Sequence, residues 1–87
     1  GSKDISDNIK DQARASLTNV RAILEAAGSS LQKVVKTTVY LTDISDFASV
    51  NEIYAEFFSA PFPARSCFAV KALPLGARVE IEVIACV

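Results

Sequence analysis

The sequence predicts a small α+β domain whose elements follow in the order αβαββ. Three observations carry this. Apolar residues recur every three or four positions near the N-terminus and again after Ser45. Segments rich in Val, Thr and Ile alternate in the middle of the chain and at its C-terminus. Glycines and prolines fall at the junctions between these segments. At 87 residues the chain makes one domain, 1–87, without an internal repeat or a low-complexity linker.

Each element has its own signals. The first helix is expected over roughly 7–27, with Ser6 as its cap, Asp7 in its first turn and Gly28 as its stop. Ile9, Ala13, Leu17, Val20, Leu24 and Ala27 make one apolar stripe along it. Residues 34–42 read as a strand with Val35, Thr37, Val39 and Leu41 on one face. A second helix starts at Ser45 or Asp46 and runs to about Phe58, with Phe47, Val50, Tyr54 and Phe57 along one side. Pro61 and Pro63 then break the chain, 64–72 form a strand, and Leu73 to Gly76 make a turn-rich connection. The last strand, 78–86, sets Val79, Ile81, Val83 and Ala85 against Arg78, Glu80, Glu82, Ile84 and Cys86. A strand, a crossover helix and a second strand usually pair in parallel, which fits 34–42 with 64–72. The last strand is able to close a hairpin with its predecessor.

Composition excludes several functions. A domain of this size buries only about 60–65% of its unfolded surface, yet 51% of these residues are hydrophobic. The surplus points to a subunit interface. It is not a membrane span, because no apolar run approaches the roughly 18 residues required. A net charge of −1 with dispersed Lys and Arg offers no stripe for a polyanion. The chain has no histidine, which rules out a Ser-His-Asp triad, a Cys-His pair and a two-histidine nuclease mechanism within one chain. Cys67 and Cys86 cannot by themselves build a structural zinc site, which needs four N or S ligands. Both are read as reduced thiols of an intracellular protein. The N-terminus has no signal-peptide pattern. Gly1-Ser2 matches a cloning scar, so the natural start is not visible.

The most informative segment is Pro63-Ala64-Arg65-Ser66-Cys67, followed after Leu73-Pro74 by Val79-Glu80-Ile81-Glu82-Val83. Arg65 and Cys67 stand two apart on one face of a strand, and the next strand carries two carboxylates. An arginine among apolar residues is costly to desolvate unless an anion meets it. Its planar fork suits the two oxygens of a carboxylate. Other readings of the same residues are open. Arg65 pairs with Glu80, Glu82 or solvent; Cys67 is a small buried hydrophobe; Asn51 is a helix-surface amide. Nothing here predicts a lowered thiol pKa, so Cys67 is not read as a nucleophile. In a simple hairpin turning near Leu75, Arg65 lies opposite about Ala85, away from Glu80. The two meet more easily across a subunit boundary or through another strand order.

Four stretches of the chain resemble one family in order. They are Gln12-Ala13-Arg14 through Leu24-Glu25-Ala26-Ala27-Gly28-Ser29-Ser30-Leu31, the strand Val34 to Asp43, the helix Asp46-Phe47-Ala48-Ser49-Val50-Asn51-Glu52-Ile53-Tyr54-Ala55-Glu56-Phe57-Phe58, and the Arg65 segment with the strand after it. From about Ile9 onward the sequence resembles the RidA (YjgF) family of reactive-intermediate imine deaminases. The resemblance implies a chorismate-mutase-like fold, a mixed sheet packed on two helices. In it the final strand lies between the family's first core strand and the strand at 34–42. That first strand, and a hairpin before it carrying a pocket tyrosine and a serine-glycine pair, have no counterpart here. The chain is therefore expected to be a fragment of a longer protein, with an open last strand; the alternative is that another chain supplies the missing edge.

The resemblance also implies a function. Arg65 would grip a substrate carboxylate, Glu80 would position the attacking water, and Cys67 and Asn51 would shape the pocket. The implied reaction is hydrolysis of 2-imino acids such as 2-iminopropanoate and 2-iminobutanoate to 2-oxo acids and ammonia. It needs no metal and no cofactor. A homotrimer with sites between subunits is implied, in the cytoplasm or the mitochondrial matrix. Two other classes stay in view. An endoribonuclease or translation inhibitor fits poorly with the missing basic face and the missing histidine, and Phe47, Tyr54 and Phe57 sit at core spacing. A non-catalytic trimer that binds small carboxylates needs the same arginine and keeps its affinity when Glu80 is lost.

Overall fold

The computed structural model describes residues 8–60 and 62–86. Its first helix, α1 (Ile9–Ala26), is capped by Asn8, whose side-chain oxygen accepts from the backbone N–H of Lys10 at 2.9 Å and of Asp11 at 3.2 Å. Two of the orphan donors at the helix start are thereby satisfied. The expected Ser6 cap and Asp7 lie outside the described residues. At the other end Gly28 takes φ +84°, and the N–H of Ser29 reaches back to the Leu24 carbonyl at 2.7 Å. This left-handed turn is where a glycine is needed, as expected. Ala13 and Leu17 are fully buried, Ile9, Val20 and Leu24 are half-buried, and Ala27 is exposed, so the stripe is deepest at its centre.

Strand β1 (Val34–Leu41) is followed by a short 3₁₀ turn, Ile44–Asp46, and by α2 (Phe47–Phe57). The chain then returns through β2 (Ala64–Ala69), a 3₁₀ turn at Pro74–Gly76, and β3 (Val79–Ala85). The helix expected from Ser45 or Asp46 thus begins one or two residues later, at Phe47. Asp43 explains the offset, because its carboxylate accepts from Ser45 N–H at 2.9 Å and from Ser45 Oγ at 2.7 Å. That closes a tight turn before the helix proper.

The sheet order is β2-β1-β3. β1 pairs with β2 in parallel, as the crossover rule requires, with Thr37 opposite Arg65 and Val39 opposite Cys67. β3 does not close a hairpin with β2; it pairs antiparallel with β1, with Tyr40 opposite Glu80 and Thr37 opposite Val83. A central strand needs partners on both edges, and β2 already occupies one of them. β3 takes the other, which is the neighbour implied by the family resemblance. Thr37, Val39 and Leu41 face the helices together with Val79 and Ile81. One expectation fails at the start of β1, where Val35 is 52% exposed and Val34 is buried instead. The register shifts between Val34 and Lys36. Such a bulge turns the strand over by one residue, so Val34 takes the core place predicted for its neighbour.

The core joins Leu17 of α1, Val50, Ile53 and Tyr54 of α2, Phe58, and the sheet residues just named. Fully burying each large aliphatic side chain contributes about 1.5–3 kcal/mol. A polar tie fixes the entry to α2 against β3. Arg78 Nη2 donates to Asp46 Oδ1 at 2.8 Å and Oδ2 at 2.9 Å, and the Arg78 N–H donates to Gln12 Oε1 at 2.8 Å. Asp46 and Gln12 are nearly buried, so these bonds meet polar groups that would otherwise be desolvated without return. Among the described residues no helix is long and apolar enough to cross a membrane.

Candidate functional site

Helix α2 builds the site. Phe47, Asn51 and Tyr54 stand at i, i+4 and i+7, so they form one stripe on its surface. Opposite that stripe, Arg65 leaves β2 one residue after the strand begins. Its Nη1 donates to Asn51 Oδ1 at 2.5 Å. Its guanidinium carbon lies 4.8 Å from the centre of the Tyr54 ring and 5.3 Å from that of Phe47. Arg65, Asn51, Tyr54, Ala55, Phe62 and Pro63 line a cleft of about 450 Å³. Among the described residues no carboxylate comes within ion-pair distance of Arg65.

This is an unusual setting for a permanent charge. Aromatic faces attract a cation, and the amide oxygen takes one of its five N–H donors. Among the described residues no anion meets the remaining donors, and the cleft wall beside them is apolar. Such a site is suited to a small carboxylate, because a fork of parallel N–H bonds matches its two oxygens.

The other predicted residues divide between the two faces of the sheet. Asn51 meets Arg65 directly. Cys67 lies on the same face, opposite Val39, but packs half-buried against the core and is not among the residues lining the cleft. Cys67 and Cys86 are both free thiols. Glu80 and Glu82 point away from the helices, in line with Tyr40 and Thr38 on the open face. There Tyr40 donates from its hydroxyl to Glu82 Oε1 at 3.2 Å. That bond, with the nearby carboxylates, raises the Tyr40 phenol above its ordinary range. Arg65 and Glu80 therefore do not meet within one chain.

Sequence reasoning missed the aromatic surround of Arg65. Spacing alone places Phe47 and Tyr54 in the core. Tyr54 is buried at 5% exposure, but Phe47 is 36% exposed and stacks on the guanidinium at the rim. Phe62 and Phe68, at 61% and 53%, are also exposed, so surface aromatics are present after all. The signal for Phe47 was in the sequence: it shares a seven-residue stripe with Tyr54 that is offset from Val50 and Ile53.

A family model described as Endoribonuclease L-PSP matches residues 2–87. The chain belongs to the RidA (YjgF) family. It is 52% identical over 83 residues to the chloroplastic Reactive Intermediate Deaminase A of Arabidopsis thaliana, covering 95% of this chain and 44% of that protein. It is 49% identical over 81 residues to the human 2-iminobutanoate/2-iminopropanoate deaminase, covering 93% of this chain and 59% of that one. Against these curated relatives the chain thus spans less than two thirds of their length. Among solved structures, RidA from the Antarctic bacterium Psychrobacter sp. superposes with a TM-score of 0.91 at 48% identity, covering 95% of this chain and 68% of that one. This RidA-family fold is therefore the α+β, mixed-sheet arrangement described above.

Proposed function

We propose that this protein is a deaminase that hydrolyses reactive 2-imino and enamine acids, such as 2-iminopropanoate and 2-iminobutanoate, to 2-oxo acids and ammonia. The observation that carries this is the Arg65 guanidinium, set in an apolar cleft without a carboxylate partner among the described residues. The names of the relatives, at about half identity over most of this chain, support the same class of chemistry. Arg65 holds the substrate carboxylate and Asn51 holds Arg65. Cys67 packs against the core two residues along the strand from Arg65 and does not itself line the cleft. The C=N carbon next to the carboxylate is already electrophilic, so a positioned water is enough to attack it. Water adds to that carbon, its protons pass to nitrogen, the C–N bond breaks, and ammonia leaves a C=O behind. Glu80 accepts a proton from the water, general-base work of about 10²–10⁴-fold.

Because Glu80 lies on the opposite sheet face from Arg65, this reading requires Glu80 of a second copy. We propose a homotrimer whose sites form between subunits, with the open face of one chain meeting the cleft of the next. The 51% hydrophobic content and the exposed Phe62, Phe68 and Ile84 are consistent with such an interface. The test is release of 2-oxobutanoate and ammonia when a threonine dehydratase supplies 2-iminobutanoate to the native protein. A rate no greater than the uncatalysed background would remove the proposal.

The same separation of Arg65 from Glu80 also favours a second reading, a carboxylate-binding protein without turnover. It predicts that 2-oxo acids bind whether or not Glu80 is intact, and that no imine is hydrolysed above background.

A further inference from the structure

Arg65 stands opposite Thr37 in the sheet, and Thr37 is fully buried. A threonine at a core-facing strand position sets a hydroxyl among apolar groups, where valine would fill the same volume without a polar atom. Its partner is Tyr54: the two hydroxyls lie 2.9 Å apart, both buried. Tyr54 also stacks on Phe58, with ring centres 4.6 Å apart. One edge of its ring is thus locked by a hydrogen bond and one neighbour by packing, while Arg65 rests against the ring at 4.8 Å.

We infer that Thr37 and Tyr54, with Phe47 at the rim, are positioning residues that hold the Arg65 guanidinium ready for an anion. The inference rests on the carboxylate-binding reading of Arg65 and extends it to residues outside the first predicted set. An arginine side chain has several rotatable bonds, and freezing it on binding costs affinity. Here that ordering precedes the ligand. Asn51 fixes one nitrogen, two rings fix the plane's surroundings, and Thr37 fixes the nearer ring. Thr37 does not line the cleft and acts on Arg65 only through Tyr54, whose ring lines the cleft beside the guanidinium.

The test measures equilibrium binding of 2-oxobutanoate to the native protein and its variants, with kcat and KM for imine hydrolysis alongside. Thr37→Val removes the hydroxyl at constant volume, and Tyr54→Phe removes the other end of the bond. Each is expected to weaken binding and raise KM by roughly 3- to 10-fold with a smaller change in kcat, the scale of a neutral hydrogen bond. Thr37→Ser, which keeps the hydroxyl, should bind like the parent. Phe47→Leu, at the exposed rim, should also weaken binding by roughly 3-fold, the scale of a surface cation–π contact. In an Arg65→Lys background the loss caused by Thr37→Val should shrink, since the two sites are coupled.

Parent-like binding in both Thr37→Val and Phe47→Leu overturns the inference. So does an equal loss from Thr37→Val in the Arg65 and Lys backgrounds, because a merely structural role would add independently. If Thr37→Val does not fold, Phe47→Leu alone decides by the same criterion. Full binding in Arg65→Ala is a different failure: it removes the carboxylate reading itself, and the positioning role with it.

Discussion

Arg65 and Glu80 sit on opposite faces of the same three-stranded sheet. Arg65 is in register with Thr37 on the helix-covered side, and Glu80 is in register with Tyr40 on the open side. They are also two strands and three residues of register apart, about 10 Å in each direction. Side chains cannot reach around a sheet. A mechanism that uses both must therefore take them from different copies, and this constraint shapes how the site is to be tested.

Arg65→Lys keeps the charge and removes the fork. Losing one well-aligned bond to a charged group costs about 1.5–3 kcal/mol, so kcat/KM for imine hydrolysis should fall by roughly 10- to 100-fold. Arg65→Ala should fall further, with little loss of stability because the residue is exposed. Steady-state kinetics beside a thermal melt checks both. Unchanged kcat/KM in a folded Arg65→Ala protein would sink the assignment.

The sequence made most of the fold legible, and the failures have local causes. Helix α1, strand β1 and the crossover to β2 follow from periodicities that one helix stripe or one strand face can carry. The partner of β3 was not readable from periodicity, since alternation says which face is buried and not which edge is paired. The bulge at Val35 was invisible for a similar reason: valines stand at both 34 and 35, and either fits the core. In the site, Arg65 stood out as a charge in an apolar strand, and Asn51 was named only through the family resemblance. The roles of Phe47 and Tyr54 stayed hidden because an aromatic at helical spacing reads as core. A ring that serves the core on one side and a cation on the other leaves no separate mark.

The tie between Asp46 and Arg78 should be asymmetric in its energetics. The Asp46 side chain is 10% exposed and that of Arg78 is 38% exposed. Asp46→Ala lets Arg78 turn toward water, a cost of about 1.5–3 kcal/mol. Arg78→Ala strips the cation from a nearly buried carboxylate and should cost about 3–5 kcal/mol. Chemical denaturation of the two variants decides the order. A smaller loss for Arg78→Ala would show that the ion pair does not anchor α2 to β3.

Asp43 should contribute to acid sensitivity. The hydrogen bond from the Ser45 hydroxyl, and then that from the Ser45 N–H, hold its carboxyl below the ordinary value. A depressed folded pKa stabilises the fold above the ordinary carboxylate range, and that contribution is lost as the pH falls through the folded value. Asp43→Asn removes it. The variant should be less stable than the parent near neutrality, and the gap should close below about pH 4. Denaturation midpoints across that range test this, and a gap that stays constant with pH would refute it.

Mixing two inactive variants gives the most discriminating test of a shared site. Arg65→Ala and Glu80→Gln should each be nearly inactive alone, although Glu80→Gln should still bind the product 2-oxo acid because its Arg65 is intact. In a ring of three built from an equal mixture, each site draws Arg65 from one chain and Glu80 from its neighbour. About one site in four then receives both native residues, given closed head-to-tail symmetry and random assembly. Activity of the refolded mixture should rise to about a quarter of the parent value, well above either variant alone. If both residues came from one chain, no mixed assembly would contain an intact site and the mixture would stay inactive. A mixture that assembles normally, shown by light scattering, yet recovers nothing would exclude the shared site. If Glu80→Gln alone turns over like the parent, Arg65 keeps its place and the water-positioning role of Glu80 falls.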